Sequence, residues 1–250
     1  MNIISHKGVF FPDNIKTPHQ EFKVGSDIHK KFMRETLQTL VDFHEFAENN
    51  NILYSISGGS LMGYFWNKDI MPWDDDIDIM LGEKDYFWVK EKLWSRGSHI
   101  DSPRRSWKWP GLNNWRKTSI CGKTYLLTVN NKTYTKPTEG VWCQHLFKII
   151  NITISTNKKM VGGLDVGLCK RLKDGKHKEF WTRNRSCCGP TDNFNEELCP
   201  LVSFAGITTR AIVRNIAEPH LNEIYGKNWV IPSHPTIKHL YNAEDYVQIW

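Results

Sequence analysis

From Asp27 onward, apolar residues recur at helical spacing. The stretch "DIHKKFMRETLQTLVDFHEFAENN" places Ile28, Phe32, Leu37, Leu40, Val41 and His44 on one face. Asp27 is positioned to cap this helix, and the asparagine run at 49–51 ends it. The period then shortens. "ILYSIS" reads as a short buried strand, and Gly58-Gly59-Ser60 as a turn whose Ser60 caps a short helix through "LMGYFWN". After Pro72, "DIDIML" alternates acid and aliphatic, which is the period of a strand. "GEKDYFWVKEKLWSRG" returns to helical spacing, with Gly97 beyond its end.

Downstream the pattern weakens. Residues 98–140 are rich in Trp, Pro, Gly and basic groups and read as loop-dominated, with a hairpin at "TYLLTVNNKTY". "VWCQHLFKIINITIS" and "MVGGLDVGL" read as two further strands. The 173–200 segment is polar and cysteine-bearing. "SFAGITTRAIVRNIAEPHLNEIYG" reads as helix broken near Pro219. Residues 1–26, with Pro12, Pro18 and Gly25, form an irregular lead-in, and 27–250 a single domain. The order of elements predicts an α+β fold.

A chain of 250 residues with 40% hydrophobic and 24% charged residues can bury a sizeable core, which excludes a disordered tail or linker. The formal charge of +6 favours an anionic partner such as a nucleotide or phosphorylated donor, a membrane surface or a nucleic acid. No basic run concentrates that charge. Eleven tryptophans, several beside basic residues, are mostly expected in the core. The six cysteines, Cys121, Cys143, Cys169, Cys187, Cys188 and Cys199, contain no C-x-x-C pair and fit no standard zinc spacing, so ordinary thiols are expected. No run reaches membrane-spanning length and the start lacks a signal-peptide core. A soluble chain is therefore expected, cytoplasmic by default, with the secretory lumen as the alternative.

The chemistry concentrates in "SISGGSLMGYFWNKDIMPWDDDIDIML". Asp74, Asp75, Asp76 and Asp78 stand together at the edge of an apolar strand, where like charges repel unless a cation offsets them. On a strand, Asp76 and Asp78 share a side while Ile77 and Ile79 face the core, and Asp74 has the same parity. Carboxylates so spaced suit a hard divalent cation, Mg²⁺ or Mn²⁺, which commonly completes its shell with substrate phosphates. Gly58, Gly59 and Ser60 permit close backbone approach, and the amides opening the following helix favour anions. Lys68, Arg116, Lys117, Arg210 and Arg214 are candidate phosphate cations. Asp165 is an isolated acid in an apolar, glycine-bearing stretch: buried and paired, functional, or in a surface turn.

The run "GGSLMGYFWNKDIMPWDDDIDIML" resembles the signature of the LicD/fukutin family, with Gly59, Leu61, Gly63, Pro72, Trp73, Asp74, Asp76 and Asp78 in register over about residues 52–90. More loosely, "GGLDVGL" resembles that family's later acid-bearing strand, and "IYGKNWVIP" its C-terminal segment. Trp66-Asn67 is closer to the fungal mannosylphosphate-transfer branch than to bacterial members, which points away from phosphocholine.

The resemblance implies a nucleotidyltransferase-like mixed sheet flanked by helices, with loop-rich insertions. It also implies transfer of a sugar-, polyol- or choline-phosphate from a CDP-, GDP- or UDP-linked donor to a glycan hydroxyl. Asp74, Asp76 and Asp78 would hold the metal, and Asp165 would complete its shell or act as base. Gly58, Gly59, Ser60 and Lys68 would bind donor phosphate. Alternatives are nucleoside monophosphate transfer, a DxD glycosyltransferase, and an inactive regulatory relative. A nucleic-acid partner is not expected, because the acid patch would repel a polyanion unless metal were present.

Overall fold

Alternating aliphatic positions in β4 (Ile77–Gly82) and β9 (Leu164–Arg171) build the centre of an eight-stranded mixed sheet, and with the helices packed on it the fold is α+β. The computed structural model describes residues 2–17, 22–100, 114–129, 147–151, 163–171, 177–179 and 194–234. The elements, in chain order, are β1 (Ile3–His6), β2 (Val9–Pro12), α1 (Asp27–Asn49), β3 (Tyr54–Ile56), α2 (Gly58–Asn67), β4, α3 (Glu83–Ser95), β5 (Ser98–Ile100), β6 (Asn114–Ile120), β7 (Lys123–Val129), β8 (Phe147–Asn151), β9, β10 (His177–Glu179), β11 (Leu201–Phe204), β12 (Ile207–Arg210) and α4 (Arg214–Tyr225). A short 3₁₀ turn, Lys227–Val230, follows α4.

The main sheet runs β3-β4-β9-β8-β7-β6-β5, with β10 paired to β9. Only the β4–β9 pair is parallel among the described pairings of this sheet. Residues directly opposite on neighbouring strands share a face. Ile77 and Ile79 of β4, Leu164 and Val166 of β9, and Phe147 and Ile149 of β8 are fully buried on one face. That face receives both long helices. Tyr86 of α3 packs on Phe147, with ring centroids 5.3 Å apart, and Phe43 of α1 packs edge-on to Tyr54 at 5.3 Å. Asp42 of α1 is held there by Lys123 at 2.8 Å and by the Tyr125 hydroxyl. The opposite face carries a row that crosses five strands: Trp115, Thr128, Lys148, Asp165 and Asp78.

Several expectations are corrected. The lead-in is a β1–β2 hairpin whose Val9 and Phe11 enter the main core. Ser26, not Asp27, caps α1, its hydroxyl accepting the His29 amide at 3.3 Å. Helix α2 begins at Gly58, with Ser57 at the cap position, so Ser60 lies inside it. Within 98–140, β5 and β6 are strands where loop was expected, and β7 is a strand where the near arm of the hairpin was expected. The hairpin of that region turns at Cys121-Gly122, before "TYLLTV"; its proposed far arm lies outside the described residues. "SFAGITTR" is the β11–β12 hairpin, and α4 continues through Pro219. Among the described residues, the β1–β2, β6–β7 and β11–β12 hairpins each turn on a residue-glycine pair with positive φ at both positions: Lys7-Gly8 (49°, 79°), Cys121-Gly122 (48°, 75°) and Ala205-Gly206 (49°, 80°). That geometry matches the twist of the flanking strands. Cys121 and Cys199 are free thiols and Cys169 is buried on β9, while Cys143, Cys187 and Cys188 lie outside the described residues. No described helix is long and apolar enough to cross a membrane.

Near the chain's far end, His234 stacks edge-on against Trp73, with centroids 4.7 Å apart. Its amide donates to the Phe10 carbonyl at 2.8 Å. Burial pushes the His234 imidazole down from 6.5 to about 4. The folded chain thus holds it neutral where the unfolded chain takes up a proton, and its share of stability is lost as pH falls from about 6.5 to about 4. Thermal denaturation of His234→Gln across that window should show a shallower decline than the parent chain.

Candidate functional site

Two local features bring the acids to the turn before them. The Ser57 amide donates to the Asp78 carbonyl at 2.9 Å, and the Ser60 hydroxyl accepts the Asp78 amide at 3.1 Å. The start of α2 is therefore bonded to the acid strand through both the N–H and the C=O of one residue, Asp78. The glycines make that approach sterically possible. A Cβ on Gly59 would lie 3.0 Å from Asp74 Oδ2 and 2.7 Å from Met71 Cε, and one on Gly63 would lie 2.5 Å from the Asp69 carbonyl oxygen. Gly58 takes φ +50°, the left-handed region that glycine tolerates best.

Trp73 anchors the loop that carries the acids. Its ring is buried and meets Phe11 at 6.1 Å, Trp66 at 6.2 Å and His234 at 4.7 Å. From the other side, His29 of α1 holds the loop backbone. The Gly25 amide donates to His29 Nδ1 at 3.1 Å, which leaves the proton on Nε2, and Nε2 donates to the Asp74 carbonyl at 3.1 Å. Sequence reasoning missed His29, which looks like an ordinary helix position.

The acids form two overlapping groups. Asp76, Asp78 and Asp165 each offer a carboxylate oxygen within 4.8 Å of the others, and Asp74, Asp75 and Asp76 do the same. Asp78 and Asp165 are direct partners on parallel β4 and β9, as the acid-strand reading of both segments requires. On a strand Asp75 would point away from Asp74 and Asp76, unless the residues before Asp76 are not yet extended. Instead it is buried and grouped with them, because β4 begins only at Ile77 and the two-residue alternation does not reach back to it. Burial, then the neighbouring charges of Asp76 and Asp75, push the Asp74 carboxyl well above the usual carboxylate range. An all-carboxylate set with oxygens this close suits a hard divalent cation.

Lys148 is the second residue that the sequence reading passed over. It stands opposite Asp165 on β8, with Nζ 2.6 Å from Asp165 Oδ1, and the side chain is 7% exposed. Burial by itself lowers the affinity of this amine for its proton. The carboxylates of Asp165, Asp76 and Asp78 together outweigh burial and raise it. Its signal in the sequence is a single cation within "LFKII".

Other candidates lie elsewhere. Gly58, Gly59 and Ser60 are buried at the start of α2. Lys68 ends α2 in the left-handed conformation, its ammonium 3.7 Å above the Tyr64 ring. Arg116 donates to the carbonyls of Trp94 and Gly97, and Arg210 pairs with Glu48 at 2.7 Å. Arg214 lies over Phe65 and Trp229, and Lys117 is exposed on β6. Trp66 donates to the Trp229 carbonyl at 2.6 Å. A cavity of about 430 Å³ is lined by Phe11, His29, Leu37, Asp69 and Met71 among others, and by none of the clustered acids.

With this geometry in place, the chain can be compared with known proteins. Residues 51–153 match the LicD/FKTN/FKRP family, nucleotidyltransferase domain. The matched segment contains α2, the acid loop, β4 and Lys148, and it stops short of Asp165. The chain is 42% identical over 50 residues to the lipopolysaccharide cholinephosphotransferase LicD of Haemophilus influenzae, covering 20% of this chain and 19% of that protein. It is 38% identical over 56 residues to the uncharacterized protein RP689 of Rickettsia prowazekii, covering 22% of this chain and 21% of that protein. A 38% identity over 58 residues to the uncharacterized protein RT0683 of Rickettsia typhi covers 23% and 19%. The chain thus spans about a fifth of the length of the curated relatives it matches.

Replacing Trp73 removes the buried ring that seats the acid loop. Trp73→Ala should lower unfolding free energy by about 3–5 kcal/mol, measured by urea denaturation.

Proposed function

We propose that this chain is a metal-dependent transferase of phosphorylated groups, moving a sugar-, polyol- or choline-phosphate from a nucleotide diphosphate donor to a glycan hydroxyl. The observation that supports it most is the convergence of Asp76, Asp78 and Asp165, with carboxylate oxygens within 4.8 Å of one another, beside the start of α2. The match of residues 51–153 to the LicD/FKTN/FKRP nucleotidyltransferase domain supports the reaction class.

In this reading Asp76, Asp78 and Asp165 hold Mg²⁺ or Mn²⁺, and Asp74 assists from the adjoining group. When bound, the ion offsets charge on the donor phosphates and on the departing nucleoside monophosphate. The chain's own residues position and bind. The positive end of the α2 dipole, at Gly58, Gly59 and Ser60, lies beside the acid strand and favours the donor's anionic phosphates. Asp165 acts as a ligand rather than a base, since a carboxylate already paired to Lys148 is a weak proton acceptor. Transfer of a nucleoside monophosphate by the same site is the second reading, supported by the description of the matched domain. The two are separated by which half of the donor the acceptor retains.

Calorimetric titration with Mn²⁺ tests the metal site, and the Asp76→Asn/Asp78→Asn double variant should lose at least tenfold in affinity. Unchanged binding in that variant rules the site out. Thermal-shift screening of CDP-, GDP- and UDP-linked donors should then give a rise in midpoint that requires Mn²⁺, because a ligand at about 100 times its Kd stabilises the native state by about 2.7 kcal/mol.

A further inference from the structure

The row across the sheet contains one cation among acids. Lys148 is 5% exposed, its ammonium lies 2.6 Å from Asp165, and its strand neighbour Asp165 is the direct partner of Asp78. A lysine is almost never buried unless paired, and a buried pair broken on one side leaves an uncompensated charge. The Lys148 ammonium offsets only one of the three carboxylate charges of Asp76, Asp78 and Asp165.

We propose that Lys148 is a positioning residue that serves as the site's resident counter-cation: it holds Asp165 in the acid cluster before metal arrives and lowers the cluster's affinity for a divalent ion. The inference rests on the metal-binding reading of the same acids. Its physical basis is simple. Two carboxylates and a third on an adjacent strand would drive one another apart if left bare, and the Lys148 ammonium prevents this without filling the ion's place. The same positive charge then repels an incoming Mg²⁺ or Mn²⁺, so binding is weaker and more readily reversed than three bare carboxylates would allow. An enzyme that must release a metal-bound nucleotide after each turnover benefits from such a balance.

Lys148→Met keeps the length and apolar stem of the side chain and removes the charge. Metal-free Lys148→Met should melt about 10 °C below the parent chain. At pH 8 it should bind Mn²⁺ at least tenfold more tightly by calorimetry, and saturating Mn²⁺ should recover most of the lost melting temperature. Lys148→Arg should keep the parent's affinity within a few-fold. Adding Asp165→Asn to Lys148→Met should restore metal-free stability. Equal loss of stability with and without Mn²⁺, together with unchanged Mn²⁺ affinity, would show that Lys148 only packs, and would overturn the inference. The metal reading fails separately: the parent chain itself would show no Mn²⁺ binding. In that event the Lys148→Met and Lys148→Met/Asp165→Asn melting temperatures still decide whether Lys148 is the counter-charge. No restoration in the double variant would refute it.

Discussion

Carboxylates crowded on one sheet face repel, and the arrangement of this chain follows from how that repulsion is contained. Asp78 and Asp165 are brought side by side by the parallel pairing of β4 and β9, and Asp76 joins them from the loop. Their aliphatic neighbours Ile77, Ile79, Leu164 and Val166 are fully buried under α1 and α3, which fixes the pleat and leaves the acids no alternative face. A one-residue slip in register would put the acids into the core, so the core itself enforces the cluster. Lys148 offsets part of the charge from the next strand. The remaining negative charge is what a divalent ion would neutralise.

The acid loop is held from three directions, each by a different kind of contact. Trp73 fixes it by packing, His29 by a hydrogen bond to the Asp74 carbonyl, and the start of α2 by two bonds to the Asp78 backbone. Such redundancy holds the acids within fractions of an ångström against their mutual repulsion, as the proposed metal site requires. Gly59 and Gly63 belong to the same design, since a methyl group at either position would strike the connector or Asp74 itself.

Much of this was legible in the sequence, and the failures have physical reasons. The alternation in "DIDIML" and the lone acid of "GGLDVGL" placed Asp78 and Asp165 correctly on strands, because burial of one face imposes a period of two whatever the distant partners are, whereas Asp76 lies in the loop just before β4. The hairpins were missed because Lys7-Gly8, Cys121-Gly122 and Ala205-Gly206 lack the Asn or Asp that usually marks such turns; glycine alone at the second position was enough once the strands paired. Strands β5 and β6 were read as loop because they are mostly polar and draw their order from neighbours in the sheet, while "TYLLTV" of β7 was read as a hairpin arm. Lys148 and His29 were invisible for a related reason. Their roles depend on partners at Asp165 and Asp74, and no local pattern encodes a contact across the fold.

Asp76, Asp78 and Asp165 are proposed to hold one divalent cation together. Anomalous diffraction from crystals grown with Mn²⁺ tests it most directly. The expected result is an anomalous peak ligated by oxygens of all three side chains, with the start of α2 beside it. Crystals saturated with Mn²⁺ that show no peak there, with Lys148 still closing the cluster, would contradict it.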